Sequence, residues 1–528
     1  MTAFVSAVLR AGMALLLVGA AGCSTLPADV ARPVSTTRVA PPSSPLAEVL
    51  SAADIPPGRS GFRPLPDSSF ALDARLELIK RAQVSLDLQY YFIGNDEVGR
   101  TILRGLADAA QRGVKVRLLI DDLHTEDLEE LLVGLAAFDN VELRLFNPFV
   151  YGRGNSVGRA WNFVTDFRSL NHRMHNKLFV ADGVLAIAGG RNLADEYFLR
   201  AVDANFIDFD LLMAGAVVPE ASEVFDQYWN SEQVFPIEAL MANRPAADVS
   251  RTRFDRLTPA DALLSPRPMV ESDLFGAPAL GVELDLRWFH FVVADAAVYA
   301  DTPSKNTAVM DPATGISAQP TSATAHLLAL MHQAREEIFL VSPYFIPGKE
   351  GMKGIQAAHD RGAVVRIVTN SLAASDAPLV TFRYASYRVE MLQAGAHLYE
   401  LSSSRFRMMA LAKRVLGKSS ARLHAKIGVI DHKTLIVGSV NMDPRSARIN
   451  TEIGIAIDSP QLAGMMLGLI SVSVSPGFYE VRLRPDGGLR WVARDGVNEE
   501  QLDDEPESSL FDRFGLYMKS LFVPEDQL

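Results

Sequence analysis

Two stretches of this chain carry the same five chemistry-bearing residues in the same order. Residues 174–192 read MHNKLFVADGVLAIAGGRN, and residues 423–441 read LHAKIGVIDHKTLIVGSVN. Each holds His-x-Lys-x4-Asp, then a glycine seven residues on and an asparagine three later. The first set is His175, Lys177, Asp182, Gly189 and Asn192. The second is His424, Lys426, Asp431, Gly438 and Asn441, with Ser439 beside its glycine. Every pair is separated by 249 residues.

This set suits reaction at a phosphodiester. Such an ester is an anion and a poor electrophile, so it needs a nucleophile, an acid for the leaving oxygen, and positive charge around phosphorus. Two imidazoles, neutral or protonated near neutral pH, fill the first two roles. Lys177, Lys426, Asn192 and Asn441 would surround the phosphate. Residues i and i+2 of a strand share a side, so each His and Lys should project together. Asp182 and Asp431 fall at the following turn, better placed to hold the local fold than to touch substrate. The glycines would let phosphate approach the backbone. One site needs both halves, and symmetry alone does not choose which histidine attacks.

The elements around the motif repeat as well. RLELIKRAQVSLDLQYYFI (75–93) and LLALMHQAREEIFLVSPYFI (327–346) each run an amphipathic helix into a strand ending in Tyr-Phe-Ile. Arg112-Gly113 and Arg361-Gly362, again 249 residues apart, each precede an apolar β-branched run. Glycine at a helix end before such a run marks an αβ unit. The expected fold is α/β: two duplicated α/β/α lobes, each a mixed sheet flanked by helices, related by a pseudo-two-fold with one shared active site. The lobes should cover 49–245 and 284–485, with a proline-containing linker at 246–283 and a partly acidic tail at 486–528 that reads as solvated surface.

The paired motifs resemble the phospholipase D superfamily, whose hallmark is two HKD motifs. DFRSLNHRMHNK (166–177), GGRNLADEYF (189–198), ADTPSK (300–305) and GSVNMDPRSARINTEIG (438–454) resemble the bacterial cardiolipin synthase C branch. The resemblance covers roughly residues 60–490. It implies a phosphohistidine intermediate on His175, with His424 protonating the departing alcohol and deprotonating the incoming one. It also implies an acidic residue after the second strand that holds a histidine ring. Glu452 matches in the second half; in the first, Asp208 is preferred over Asp203. The function implied is phosphatidyl transfer between phospholipids such as phosphatidylglycerol and phosphatidylethanolamine, as a cardiolipin synthase does. Hydrolysis to phosphatidic acid is the alternative, and an envelope nuclease a weaker one. No cofactor and no metal are expected: the remaining histidines, such as His172 and His290, form no ligand set.

The N-terminus points to the envelope. AGMALLLVGAAG (11–22) is uncharged and follows Arg10. A run this short has the form of a signal peptide, since spanning a bilayer takes about 20 residues. It leads into Cys23, the single cysteine. Ala-Ala-Gly-Cys resembles a bacterial lipobox, although Ala20 stands where Leu is usual. Lipidated Cys23 and a periplasmic, preferably outer-membrane, location are therefore expected. Residues 23–48, rich in Pro, Ser and Thr, read as an extended tether. The formal net charge of −12 argues against a nucleic-acid partner. Against that background, 401–426 holds seven basic residues and no acidic one, with Phe406, Met408 and Leu411 interleaved. The stretch before the first motif, from 152 to 173, is also basic and aromatic. Both compositions suit anionic lipid headgroups and acyl chains.

Overall fold

The computed structural model describes residues 26–27, 29–149, 171–241, 244–260, 264, 270–305, 322–408, 419–471, 475–496, 498–520 and 523–525. The signal-like run and Cys23 lie outside them.

The first lobe is built on β1 (Ser60–Leu65), β2 (Ser85–Tyr90), β3 (Lys115–Asp121), β4 (Val141–Phe146), β5 (Leu178–Ala181), β6 (Leu185–Gly189), β8 (Asp210–Gly215) and β9 (Val234–Pro236), with β7 (Ala204–Ile207) outside its sheet. Its sheet runs β1-β8-β6-β5-β2-β3-β4-β9, with β2, β3 and β4 parallel and the rest antiparallel. The second lobe comprises β10 (Val292–Ala300), β11 (Glu337–Val341), β12 (Val364–Asn370), β13 (His397–Leu401), β14 (Ser420–Leu423), β15 (Ile427–Ile430), β16 (Thr434–Gly438), β17 (Ile453–Asp458), β18 (Phe478–Leu483), β19 (Leu489–Asp495) and β20 (Asn498–Leu502). Its sheet, β10-β17-β16-β15-β11-β12-β13-β18-β19-β20, repeats the first one strand for strand as far as β18. β1 and β10 pair antiparallel and join the two into one continuous sheet.

Helices complete the layers. α1 (Ser68–Arg81) and α2 (Glu97–Gln111) cover one face of the first sheet, and α3 (Val217–Trp229) the other. In the second lobe, α4 (Ala323–Gln333) and α5 (Gly348–Asp360) lie outside, followed by α6 (Pro378–Ala385), α7 (Pro444–Arg448), α8 (Pro460–Leu469) and α9 (Leu510–Ser520). α3 and α8 face inward, where Phe225, Trp229 and Met466 share one core with Phe62, Met174, Val341 and Leu423. Strands covered on both faces must be apolar throughout, which is why they read as Val/Ile/Leu runs rather than as alternation. Gly113 and Gly362 take φ +97° and +86° at the ends of α2 and α5, the left-handed turn that glycine permits there.

Three features differ from the sequence reading. Much of the presumed tether is bound to the first lobe. Arg32 Nε donates to the Val234 carbonyl, the backbone N–H groups of Ser35 and Thr37 donate to Asn230 and Asp226, and Ala40 N–H donates to the Asp182 carbonyl. Pro, Ser and Thr favour extended backbone, and extended backbone with free donors can lie along a lobe as readily as in solvent. The stretch after 485 is also more than a tail: β19 and β20 extend the second sheet, and α9 follows. Finally, the linker folds back: Glu283 is buried against Arg63 of β1, and the helix Ala247–Leu257 packs on the helix Glu129–Ala136.

Candidate active site

The two motifs meet because each is hydrogen-bonded to the opposite lobe. β14, just before His424, pairs in parallel with β7, just before Asp208, with Leu423 opposite Ile207. Met174, just before His175, forms a parallel bridge with Thr451, just before Glu452. The peptide N–H of His424 donates to the Ile207 carbonyl at 2.8 Å, and that of His175 to the Thr451 carbonyl at 2.9 Å. The same exchange is thus made twice, once in each direction. Asp121, at the end of β3, steadies one arm by accepting from Met174 N–H at 2.9 Å; Asn370, at the end of β12, accepts from Leu423 N–H at 2.8 Å.

These bridges cross the histidines with the carboxylates. His175 Nδ1 lies 2.9 Å from Glu452 Oε2, and His424 Nδ1 lies 2.7 Å from Asp208 Oδ2. All four side chains are buried. A carboxylate at Nδ1 fixes the ring and leaves Nε2 as the lone-pair-bearing nitrogen. The two carboxylates are held differently. Glu452 also accepts from the hydroxyls of Ser439 and Ser446. Asp208 accepts from Phe209 N–H at 2.7 Å, and its carbonyl accepts from Arg191. Beneath Glu452, its N–H donates to Asp301, which is paired at 2.8 Å with the fully buried Lys305. The ADTPSK string is therefore a buttress for the site.

Both lysines are buried beside their histidines. Lys177 Nζ donates to the His175 carbonyl at 2.6 Å, and Lys426 Nζ lies 3.1 and 3.2 Å from the His424 ring nitrogens. A tyrosine stands edge-on to each imidazole: Tyr91 to His175 with ring centres 5.2 Å apart, Tyr197 to His424 at 5.1 Å.

Burial dominates the electrostatics. Desolvation pushes His175 down to about 4, against the raising effect of Glu452, so the ring is neutral at pH 7. His424 is lowered by burial and by Lys426, opposed by Asp208. Desolvation also brings Lys177 down to about 7 and Lys426 to about 8, less than it would without Glu452 and Asp208 nearby. Burial would raise Asp208, but His424, Lys426 and Arg191 outweigh it and hold the carboxyl at about 2. The centre is thus a pair of neutral imidazoles with ionised carboxylates behind them. An incoming phosphodiester anion would favour protonation of the lysines and of His424.

Asp182 and Asp431 hold the local fold, as their place at the turn implies, and do not reach the imidazoles. Each adopts positive φ and accepts from three consecutive peptide N–H groups at the start of a strand: Gln83, Val84 and Ser85 for Asp182; Arg335, Glu336 and Glu337 for Asp431. Several other expected residues take different duties. Gly189 and Gly438 serve sheet packing rather than phosphate approach: a Cβ would come within 2.4 Å of the Phe209 carbonyl or 2.1 Å of the Ile453 carbonyl. Asn192 accepts from Phe92 N–H and donates to the Tyr197 hydroxyl, whereas Asn441 Oδ1 is buried without a hydrogen-bond partner among the described residues. The His-x-Lys segments are extended entries to β5 and β15 rather than strand interiors, because their residues are spent on the cross-lobe bridges. His172 is a bolt between lobes, its ring nitrogens 2.6 and 3.0 Å from the carbonyls of Ile449 and Pro303. Arg405 of the basic stretch is paired with Glu500, while 409–418 and 150–170 fall outside the described residues.

Sequence reasoning missed the contacts of two tyrosines. The hydroxyl of Tyr91 is 3.1 Å from His124 Nε2, and that of Tyr344 donates to Asp376. The signal was present in the repeated Tyr-Phe-Ile, but the partners after β3 and β12 differ in type, so the half-sites are unlike.

Comparison with known proteins agrees with this architecture. A family model described as "Cardiolipin synthase, PLD-like domain" matches residues 76–229 and 327–467, one span in each lobe. The chain is 34% identical to cardiolipin synthase C of Escherichia coli over 480 residues, covering 90% of this chain and 98% of that protein. It is 24% identical to cardiolipin synthase 1 of Bacillus anthracis, over 72% of this chain and 59% of that one. The crystal structure of phosphatidylserine synthase from Haemophilus influenzae superposes with a TM-score of 0.55 at 14% identity, over 88% of this chain and 95% of that chain, a likeness of fold. With two HKD halves folded into one centre, the chain belongs to the PLD-like cardiolipin synthase family and is an enzyme of the phospholipase D type.

Proposed function

We propose that this protein is a phosphatidyltransferase that forms cardiolipin through a phosphohistidine. The observation that carries the reading is the crossed pair of carboxylate-held imidazoles in a single buried centre with two lysines. Its likeness to cardiolipin synthase C along nearly the whole chain supports the choice of substrate.

In the first half-reaction, Nε2 of neutral His175 attacks phosphorus. The bond from phosphorus to the headgroup oxygen breaks, and His424, protonated in the presence of the phosphate, gives its proton to the leaving alkoxide. Lys177 and Lys426 meet the charge on the phosphoryl oxygens. In the second, His424 takes the proton of an acceptor hydroxyl on phosphatidylglycerol. That oxygen attacks phosphorus, and His175 leaves neutral. The released alcohol is glycerol or ethanolamine, according to the donor lipid. A lipid anchor on Cys23 would hold the enzyme at the periplasmic face of a membrane, where lipid hydroxyls are concentrated and compete with water.

The test supplies labelled phosphatidylglycerol and phosphatidylethanolamine, separately and together, and follows both products. Cardiolipin with stoichiometric release of glycerol or ethanolamine is expected. Phosphatidic acid alone at every lipid ratio would make the protein a hydrolase instead.

A further inference from the structure

The last helix turns its apolar face outward. In α9, Leu510, Phe511, Phe514, Tyr517 and Met518 are 77, 84, 62, 51 and 43% exposed. At about 100° per residue, these five fall within one arc of about 120°. Arg513 and Leu516, on the other side, are partly covered, and the helix packs on α6.

The helix is fastened to the rim of the active site. Val523, just beyond it, packs with Tyr344, Ile346 and Val380. Glu525 lies 3.1 Å from Arg383 of α6 and accepts from the Tyr387 hydroxyl at 2.6 Å. Tyr344 in turn donates to Asp376, whose charge acts on both His424 and Lys426. The helix that bears the apolar face is therefore tied, through the residues just beyond it, to the side of the site at which His424 handles its alcohols.

We propose that this face is a membrane-docking surface, lying in the headgroup–acyl boundary of a phospholipid bilayer beside the site's mouth. The inference rests on the phospholipid reading above. A helix of 11 residues is about 16 Å long and about 10 Å wide, a footprint of about 160 Å². A stable protein partner needs about 800 Å² on each side. Interfacial docking needs only an apolar helical face sunk about 5–10 Å into the lipid.

The test uses the full chain reconstituted in vesicles of phosphatidylglycerol and phosphatidylethanolamine. Phe514→Trp should add an emission component, absent from the parent protein, that brominated acyl chains quench. No added quenching would overturn the proposal, as would a concentration-dependent blue shift in detergent without lipid, the mark of a second copy. The triple variant Leu510→Ser/Phe511→Ser/Phe514→Ser should lower kcat/KM on vesicles about tenfold while leaving turnover of short-chain, monomeric phosphatidyl substrates unchanged. Equal losses on both substrates would count against docking. Quenching reads the surface without turnover: quenching with no action on any phospholipid keeps the surface and sinks the functional reading, and transfer without quenching does the reverse.

Discussion

Asp208 stands 2.7 Å from the Nδ1 of His424, a residue 216 positions later in the other lobe, and Glu452 makes the mirrored contact back to His175. Neither lobe therefore owns a complete acid–base pair. Asp208→Asn and Glu452→Gln keep the shape but remove the charge that fixes each ring. Each should lower kcat by about 10²-fold or more with the circular-dichroism melt little changed. Wild-type kcat in either variant would reduce these contacts to scaffolding.

His175→Ala should abolish turnover and leave no covalent adduct. His424→Ala should also abolish turnover of natural lipids, yet still accumulate adduct at His175 from a phosphodiester with a good leaving group, which needs no acid. Peptide mapping by mass spectrometry separates the two. An adduct found on His424 in the His175→Ala protein would reverse the roles.

The burial-driven shifts make a pH profile. The attacking ring of His175 must be neutral, and its value of about 4 places the acid limb of kcat/KM well below that of an ordinary histidine. The acid His424 must be protonated, and burial and Lys426 lower it in the free enzyme, while the lysines are cationic only below about 7 for Lys177 and about 8 for Lys426. So kcat/KM should already fall as pH rises through the lowered His424 range and go on falling through that of the lysines. Bound phosphate favours the ammonium forms, so the alkaline limb of kcat should lie at higher pH than that of kcat/KM. Coincident alkaline limbs would contradict this.

Gly190 occupies the place in the first lobe that Ser439 takes in the second, 249 residues on. A Cβ there would lie 2.0 Å from Asp208 Oδ1, so Gly190→Ala must displace that carboxylate. Activity should fall at least tenfold, with a stability loss of about 1–3 kcal/mol. Gly464→Ala in α8, where a Cβ meets nothing within 4 Å, is the control and should stabilise by about 0.5–1 kcal/mol. Equal kinetics in the two variants would remove the steric argument.

The duplicated lobes and the reactive residues were legible because they recur at one offset. The histidine partners were harder. Glu452 follows Asn441 by eleven residues and Asp208 follows Asn192 by sixteen, so the offset points at Asp203, whereas the ring is met by Asp208. The first lobe spends its extra residues on the turn after Phe198 and on β7, the strand that pairs with β14. That the pairs cross between lobes left no trace in periodicity, because parallel bridges between residues more than 200 positions apart are a tertiary fact. Asp121 and Asn370 do share the offset of 249, but the change from carboxylate to amide hid them. The tether misled because composition reports how a segment is extended, not what it lies against.

The clamped N-terminal segment sets a leash. Arg32 is already fixed to the Val234 carbonyl, which leaves nine residues back to Cys23. Fully stretched, nine residues reach about 30 Å. With a lipid on Cys23, the first lobe could never drift farther than that from the headgroups. Finding a substrate would then be a matter of reorienting over the surface, and its rate would follow the mole fraction of lipid in that membrane rather than the bulk lipid concentration.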